Sequence, residues 1–222
     1  MNKDFLLEDQ ESVADLQSFL QRAKRLDPDG SVRLRAFGQV LAAYVSPLYS
    51  GNLMDSGPTV VGLRTCALAE PAEIDSVVGI NAVLERLARI NNPDMLGNVA
   101  LRVAVPPTER APWAGILPPM SGWAPAGTVA ESLLTQTAKE GIDEVASTIP
   151  ESVGGPIAAR IRAEIWGKAI AFDSKIPKGA AFAAAGLGFL TQGEEVEVYL
   201  TDGWVRLSAL HGHVLAKVAV RH

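Results

Sequence analysis

Four arginines, Arg33, Arg35, Arg64 and Arg102, stand in short runs where apolar and polar residues alternate. If Val32, Leu34, Val61, Leu63, Leu101 and Val103 share the buried face of a sheet, a period of two sends all four guanidiniums to the opposite face. Each offers a planar fork of donors that fits phosphate or carboxylate, so a cluster of them would bind an anion, including a nucleic acid. The competing use is structural: exposed strand positions are commonly charged, and neighbouring acids neutralise them. The anion-binding reading needs the four close together on an open face.

Trp113 and Trp123 form the other candidate. They lie in PPTERAPWAGILPPMSGWAP, Pro106 to Pro125, where six prolines exclude a continuous helix and a central strand. A disordered linker is poor in bulky apolar residues; this stretch carries Ile116, Leu117 and Met120 besides its two tryptophans. It reads as an ordered crossover loop packed by its own side chains. Trp113 and Trp123, stiffened by Pro118 and Pro119, then serve either as anchors for a partner or as a plug between the two halves of the chain. The partner would be a second copy or another protein.

Other reactive residues are few. His211 and His213 have a spacing that can hold zinc, but Gly212 places them at a turn, no cysteine is near, and only Glu195 and Glu197 lie within reach. No metal site is expected. His222 ends the sequence. Gly154-Gly155-Pro156, ahead of a helix bearing Arg160, has the makings of an anion cradle and is more often a plain helix start. Gly186-x-Gly188 lacks the third glycine and the preceding strand of a dinucleotide fingerprint. There is no phosphate-binding loop, nucleophile elbow, Cys-x-x-Cys or His-Glu-x-x-His, and no cofactor is expected. The expected function is non-catalytic binding, with self-association. Anion or nucleic-acid binding is the first alternative, and an enzyme of unrecognised class, with Arg, Glu and His gathered in one pocket, is the second.

The elements that must position these residues follow from periodicity. A helix capped by Asp9 or Ser12 runs to Leu26 and is stopped by Asp27-Pro28-Asp29-Gly30. Ser31 to Ser46 alternates, breaks at Gly38 and alternates again: two strands at a tight turn, or one strand with a bulge. Pro47 to Pro58 is a loop, and Thr59 to Leu68 a strand. Pro71 opens a helix to about Ile90, ended by Asn91 and Asn92, and Val99 to Val105 is a strand.

In the second half, Thr128 and Glu131 form a capping box that starts a helix. Pro156 opens another, with Ile157, Ile161 and Ile165 on one stripe, and Pro177 to Leu190 forms a small-residue helix. Asp202-Gly203 and His211-Gly212, taken as two-residue hairpin turns, give a three-stranded meander. It pairs Leu200 with Val205 and Val198 with Leu207, then Ala209 with Val214 and Leu207 with Ala216. The fold class is α+β: residues 1–105 form an antiparallel sheet with helices, 106–126 the crossover loop, and 127–222 helices followed by the meander, as separate or merged domains.

The 222 residues carry a net charge of −5, which gives no general attraction to a polyanion; nucleic acid and acidic membrane are not expected partners. The single cysteine, Cys66, fits a reducing compartment, and the acidic N-terminus is no secretory signal, so the expected location is the cytoplasm. The runs RLDPDG, WAGILPPMSGW and GWVRLSALHGHVLAKV resemble a family of uncharacterised bacterial proteins over nearly the whole chain. That resemblance implies no activity, substrate or cofactor.

Overall fold

The computed structural model describes residues 2–49, 57–90, 101–116, 118–150, 153–171 and 174–217. Asn91, Asn92, Val99, Leu117 and His222 lie outside them. The chain divides into two compact units. The first comprises Met1–Val45 and Leu63–Gly115, the second Ser46–Gly62 and Ile116–His222.

The first unit holds β1 (Asp4–Leu6), α1 (Gln10–Leu26), most of β2 (Ser31–Leu48) and of β3 (Val60–Gly79), α2 (Ile80–Ile90) and β4 (Arg102–Ala104), while the end of β2 and the start of β3 belong to the second. The Asp9 carboxylate accepts the Ser12 amide at 2.7 Å, capping α1 as its sequence requires. Val13, Leu16, Phe19, Leu20 and Ala23 form the buried stripe of this helix. β2 is one strand, not two: it passes through Gly38 at a φ of 62°, beside the exposed Phe37 and Val40. Without a Cβ, Gly38 adopts this angle with little strain. β1 and β4 pair antiparallel, Phe5 facing Val103.

The helix expected from Pro71 begins nine residues later, because β3 runs on to Gly79. Ala72 and Ile74 are both buried between exposed neighbours, the period of a strand; Ile80, Val83 and Leu87 then face the core from α2.

The second unit contains β5 (Ala124–Ala130), α3 (Glu131–Thr148), α4 (Gly155–Gly167), α5 (Lys178–Gly186), β6 (Glu195–Thr201), β7 (Trp204–Ala209) and β8 (Gly212–Lys217). The sheet has the order β2-β3-β8-β7-β6-β5, and where it reaches this unit Lys217 N donates to Thr59 O at 2.9 Å. The C-terminal strands are antiparallel. Pro125 is thus in a strand, where the crossover loop was expected to continue. The strand lies at the sheet edge, the one place that tolerates a missing donor, and its register shifts between Pro125 and Thr128.

Three further expectations are corrected here. Thr128 does not cap α3; it lies in β5, and its hydroxyl donates to Glu195 at 2.9 Å, while the Glu131 amide at the helix start donates to Glu194 O. On α4, Ile157 is exposed and the buried residues are Ala158, Ile165 and Trp166. In the meander, Leu200 pairs with Val205 and Val198 with Leu207 as expected, but the second turn is Leu210-His211. Leu207 therefore faces Val214, and Val205 faces Ala216. The slip is two residues, so the same side chains stay on the core face. Gly212 is the first residue of β8 instead of a turn residue: a Cβ there would lie 2.6 Å from the buried ring of Phe189.

Candidate functional site

The four arginines do not form one cluster. Arg33 and Arg35 converge on Asp75, Arg64 goes to Asp15, and Arg102 to Asp4 and Glu70. Every one of them therefore has a carboxylate partner. Arg33 spends its whole fork: Nε and Nη2 donate to the two Asp75 oxygens at 2.7 and 2.8 Å, and Nη1 donates to Ala114 O at 2.6 Å. This last bond fixes the 3-10 turn Pro112–Gly115 that holds Trp113, so two residues singled out separately in the sequence serve one structural purpose. The guanidinium holds the Asp75 carboxyl below the ordinary aspartate range, mainly through those hydrogen bonds.

A carboxyl depressed in the folded state stabilises fully above its unfolded pKa, and that contribution disappears as pH falls through the folded value. We expect the melting temperature of the wild type to fall more steeply than that of Asp75→Asn below about pH 4. Parallel melting curves for the two proteins would contradict this role for Asp75.

Trp113 is 3% exposed in the first unit and has no surface to offer a partner. Trp123 belongs to the second unit and is half-buried. Its indole Nε1 donates to Pro119 O at 3.0 Å, closing the segment Pro119–Trp123, and the Arg206 guanidinium lies 4.9 Å from its ring and 4.2 Å from that of Tyr199. Such stacking on two faces is attractive and orders the loop base. Between the two tied residues, Met120 is 83% exposed. Sequence reasoning used Met120 only as a sign of an ordered loop and named the tryptophans as anchors, although an apolar residue following two prolines was the available signal.

His213 pairs across the sheet with Ser208, and His211 is in the turn before β8. No group of metal-ligating residues occurs among the described residues. Cys66 is buried and its thiol is pushed up to about 12, chiefly by burial and then by Asp15, which leaves no thiolate for nucleophilic work near neutral pH. It borders an open cleft of about 440 Å³ between α1 and β3, where Asp15 already holds Arg64 and Asp9 already caps α1.

The second unit has a smaller cavity of about 190 Å³ that the sequence did not disclose. Pro47, Leu48 and Pro58 form one wall, Ala159, Ala163 and Trp166 of α4 the other, with Tyr49 and Arg162 at its mouth. Trp166 is held firmly: its ring fills the space over Gly141, where a Cβ would come within 2.3 Å, and its centroid is 4.6 Å from that of Phe182. Glu144 ties the surroundings together, accepting from Lys168 at 2.5 Å and Lys178 at 3.1 Å. Those two ammonium groups hold its carboxyl below the usual glutamate range.

With this geometry in place, the fold can be compared with solved structures, and it is similar to that of DNA polymerase sliding clamps. Two structures from Caulobacter crescentus, one described as pol III beta and one as the DNA polymerase sliding clamp, superpose with TM-scores of 0.52 and 0.51 at 14% identity. They match 99% and 100% of this chain and 66% of theirs. The beta subunit from DNA polymerase of Streptococcus pyogenes gives 0.50 at 10% identity, over 99% of this chain and 65% of its own. The chain thus spans just under two thirds of the length of these clamp subunits. More particularly, residues 1–109 match the Domain of unknown function (DUF8010), and residues 118–221 the Domain of unknown function (DUF8185). Each match covers just under half of the chain and each model is a domain of unknown function, in keeping with the resemblance of the sequence runs to an uncharacterised family. No curated protein matches it.

Proposed function

We propose that this protein works by binding and not by catalysis, and that it self-associates through the loop Pro118–Trp123. The observation that carries the reading is the clamp-like fold over the whole chain, a fold whose named examples are subunits of a DNA polymerase. A subunit acts through its contacts. The loop supports the reading further, because Pro118, Pro119 and the Trp123 bond to Pro119 O hold the exposed Met120 in place before any partner arrives. Pre-ordering of this kind reduces the entropy lost on association. The acids whose titration is shifted have structural causes: Asp75 and Glu144 are each held down by ion-pair partners, and Asp9 by the hydrogen bonds from Ser12 that cap α1.

The compartment that suits one buried thiol is the cytoplasm. No helix among the described residues is long and apolar enough to cross a membrane. Sedimentation of the full chain tests the proposal: the expected species has twice the 23.5 kDa of a single chain. A single-chain mass at every concentration would contradict it.

The clamp-like fold makes a nucleic-acid partner the second reading. With Arg33, Arg35, Arg64 and Arg102 all paired to acids and a net charge of −5, we expect no retention of duplex DNA. A gel shift that weakens steeply between about 50 and 200 mM salt would favour that reading instead.

A further inference from the structure

We propose that the cavity bounded by Pro47, Leu48, Pro58 and α4 takes one bulky apolar side chain of a partner peptide, and that Arg162 at its mouth pairs with a carboxylate beside that side chain. The inference rests on the binding role proposed above and names the chemistry of a second partner. Size is the first argument. At about 190 Å³ the cavity falls below the roughly 300–1,000 Å³ of small-molecule and cofactor sites, and it suits a single side chain.

The lining gives the second argument. Pro47 and Pro58 offer no backbone donors, so this edge does not invite an added strand, and recognition must come through side chains. Trp166 is locked by its fit against Gly141 and Phe182, which leaves the floor formed in advance.

Charge supplies the third. Arg162 is exposed, none of the described residues lining the cavity is an acid, and Arg162 has no carboxylate partner among the described residues, whereas Arg160 on the same helix pairs with Glu164 at 3.0 Å. A guanidinium beside an apolar hole is complementary to a hydrophobic residue with an Asp, a Glu or a chain terminus next to it.

The test is a random heptapeptide library displayed on phage and selected on the full chain, with the enriched peptides then titrated by fluorescence polarisation. Enriched peptides should carry a bulky apolar residue within two positions of an acid. Ala159→Phe, at an exposed helix position, should fill the cavity and abolish binding. Arg162→Glu should weaken binding at least about tenfold and shift the selected set toward Lys and Arg. Circular dichroism identical to the wild type confirms that both variants fold.

No enrichment, enrichment without acids, or an unchanged set on Arg162→Glu would overturn the assignment. A dimer dissolved by Arg162→Glu would also overturn it, by placing a second copy in the cavity. A failed selection beside an intact dimer would remove this pocket and leave the wider binding role standing.

Discussion

Replacing Gly212 by Ala should destabilise the protein by about 3 kcal/mol, the upper part of the range for overpacking a filled interior. The added Cβ would lie 2.6, 2.7 and 2.8 Å from three atoms of the Phe189 ring, and Phe189 is 2% exposed with no open side to move toward. Gly212 also starts β8 opposite Ala209, so a backbone shift that relieved the clash would strain the pairing of β7 with β8. Chemical denaturation of the purified variant measures the loss. A change below 1 kcal/mol would mean that Phe189 does not pack over β8 as described.

The second large effect is expected at Gly141, inside α3. Alanine is normally the better helix former there by about 1 kcal/mol, so an uncrowded site would become more stable. Here the new Cβ meets the Trp166 ring at 2.3 and 2.7 Å. Expelling the indole costs about 3 kcal/mol, which outweighs the gain in propensity and leaves a net loss of about 2 kcal/mol. In a chain of this length that lowers the melting temperature by about 4–8 °C. Near-ultraviolet circular dichroism should change as well, because Trp166 loses its fixed packing on Phe182. Stabilisation by Gly141→Ala would show that Trp166 does not occupy this notch, and would remove the rigid floor of the cavity.

Much of this architecture was legible in the sequence wherever local signals agreed with the tertiary fold. α1 had a capping aspartate, a clean stripe and a strong stop, and it formed as read. The first meander pairing followed from Asp202-Gly203. The second turn was misplaced by one residue, which slips the pairing by two and preserves the alternation of faces; the fit of Phe189 over Gly212 favours the observed register, and Phe189 lies outside the hairpin itself. At Pro71, a proline suited to opening a helix lies inside a strand, and the alternation of Ala72 and Ile74 was the overlooked sign. Thr128 and Glu131 matched a capping box by spacing alone, whereas pairing with β6 held Thr128 extended.

The candidate sites were less legible still. The strand pattern of the arginines was real, but the acids that neutralise them come from α1, β1 and the late part of β3, and no local rule foretells such partners. The cavity beside Trp166 joins Pro47, Leu48, Tyr49 and Pro58 to Ala159, Arg162 and Ala163, from segments about a hundred residues apart, none of which signals a site by itself.

Met120 offers the sharpest test of the central claim that this is a molecule that binds. Its side chain is 83% exposed, so Met120→Glu should leave the folded monomer undisturbed while placing a charge at the tip of the loop. Sedimentation equilibrium of both proteins at matched concentrations should give the wild type twice the 23.5 kDa of one chain and Met120→Glu the mass of a single chain. A wild type of single-chain mass, or a variant as heavy as the wild type, would contradict the account.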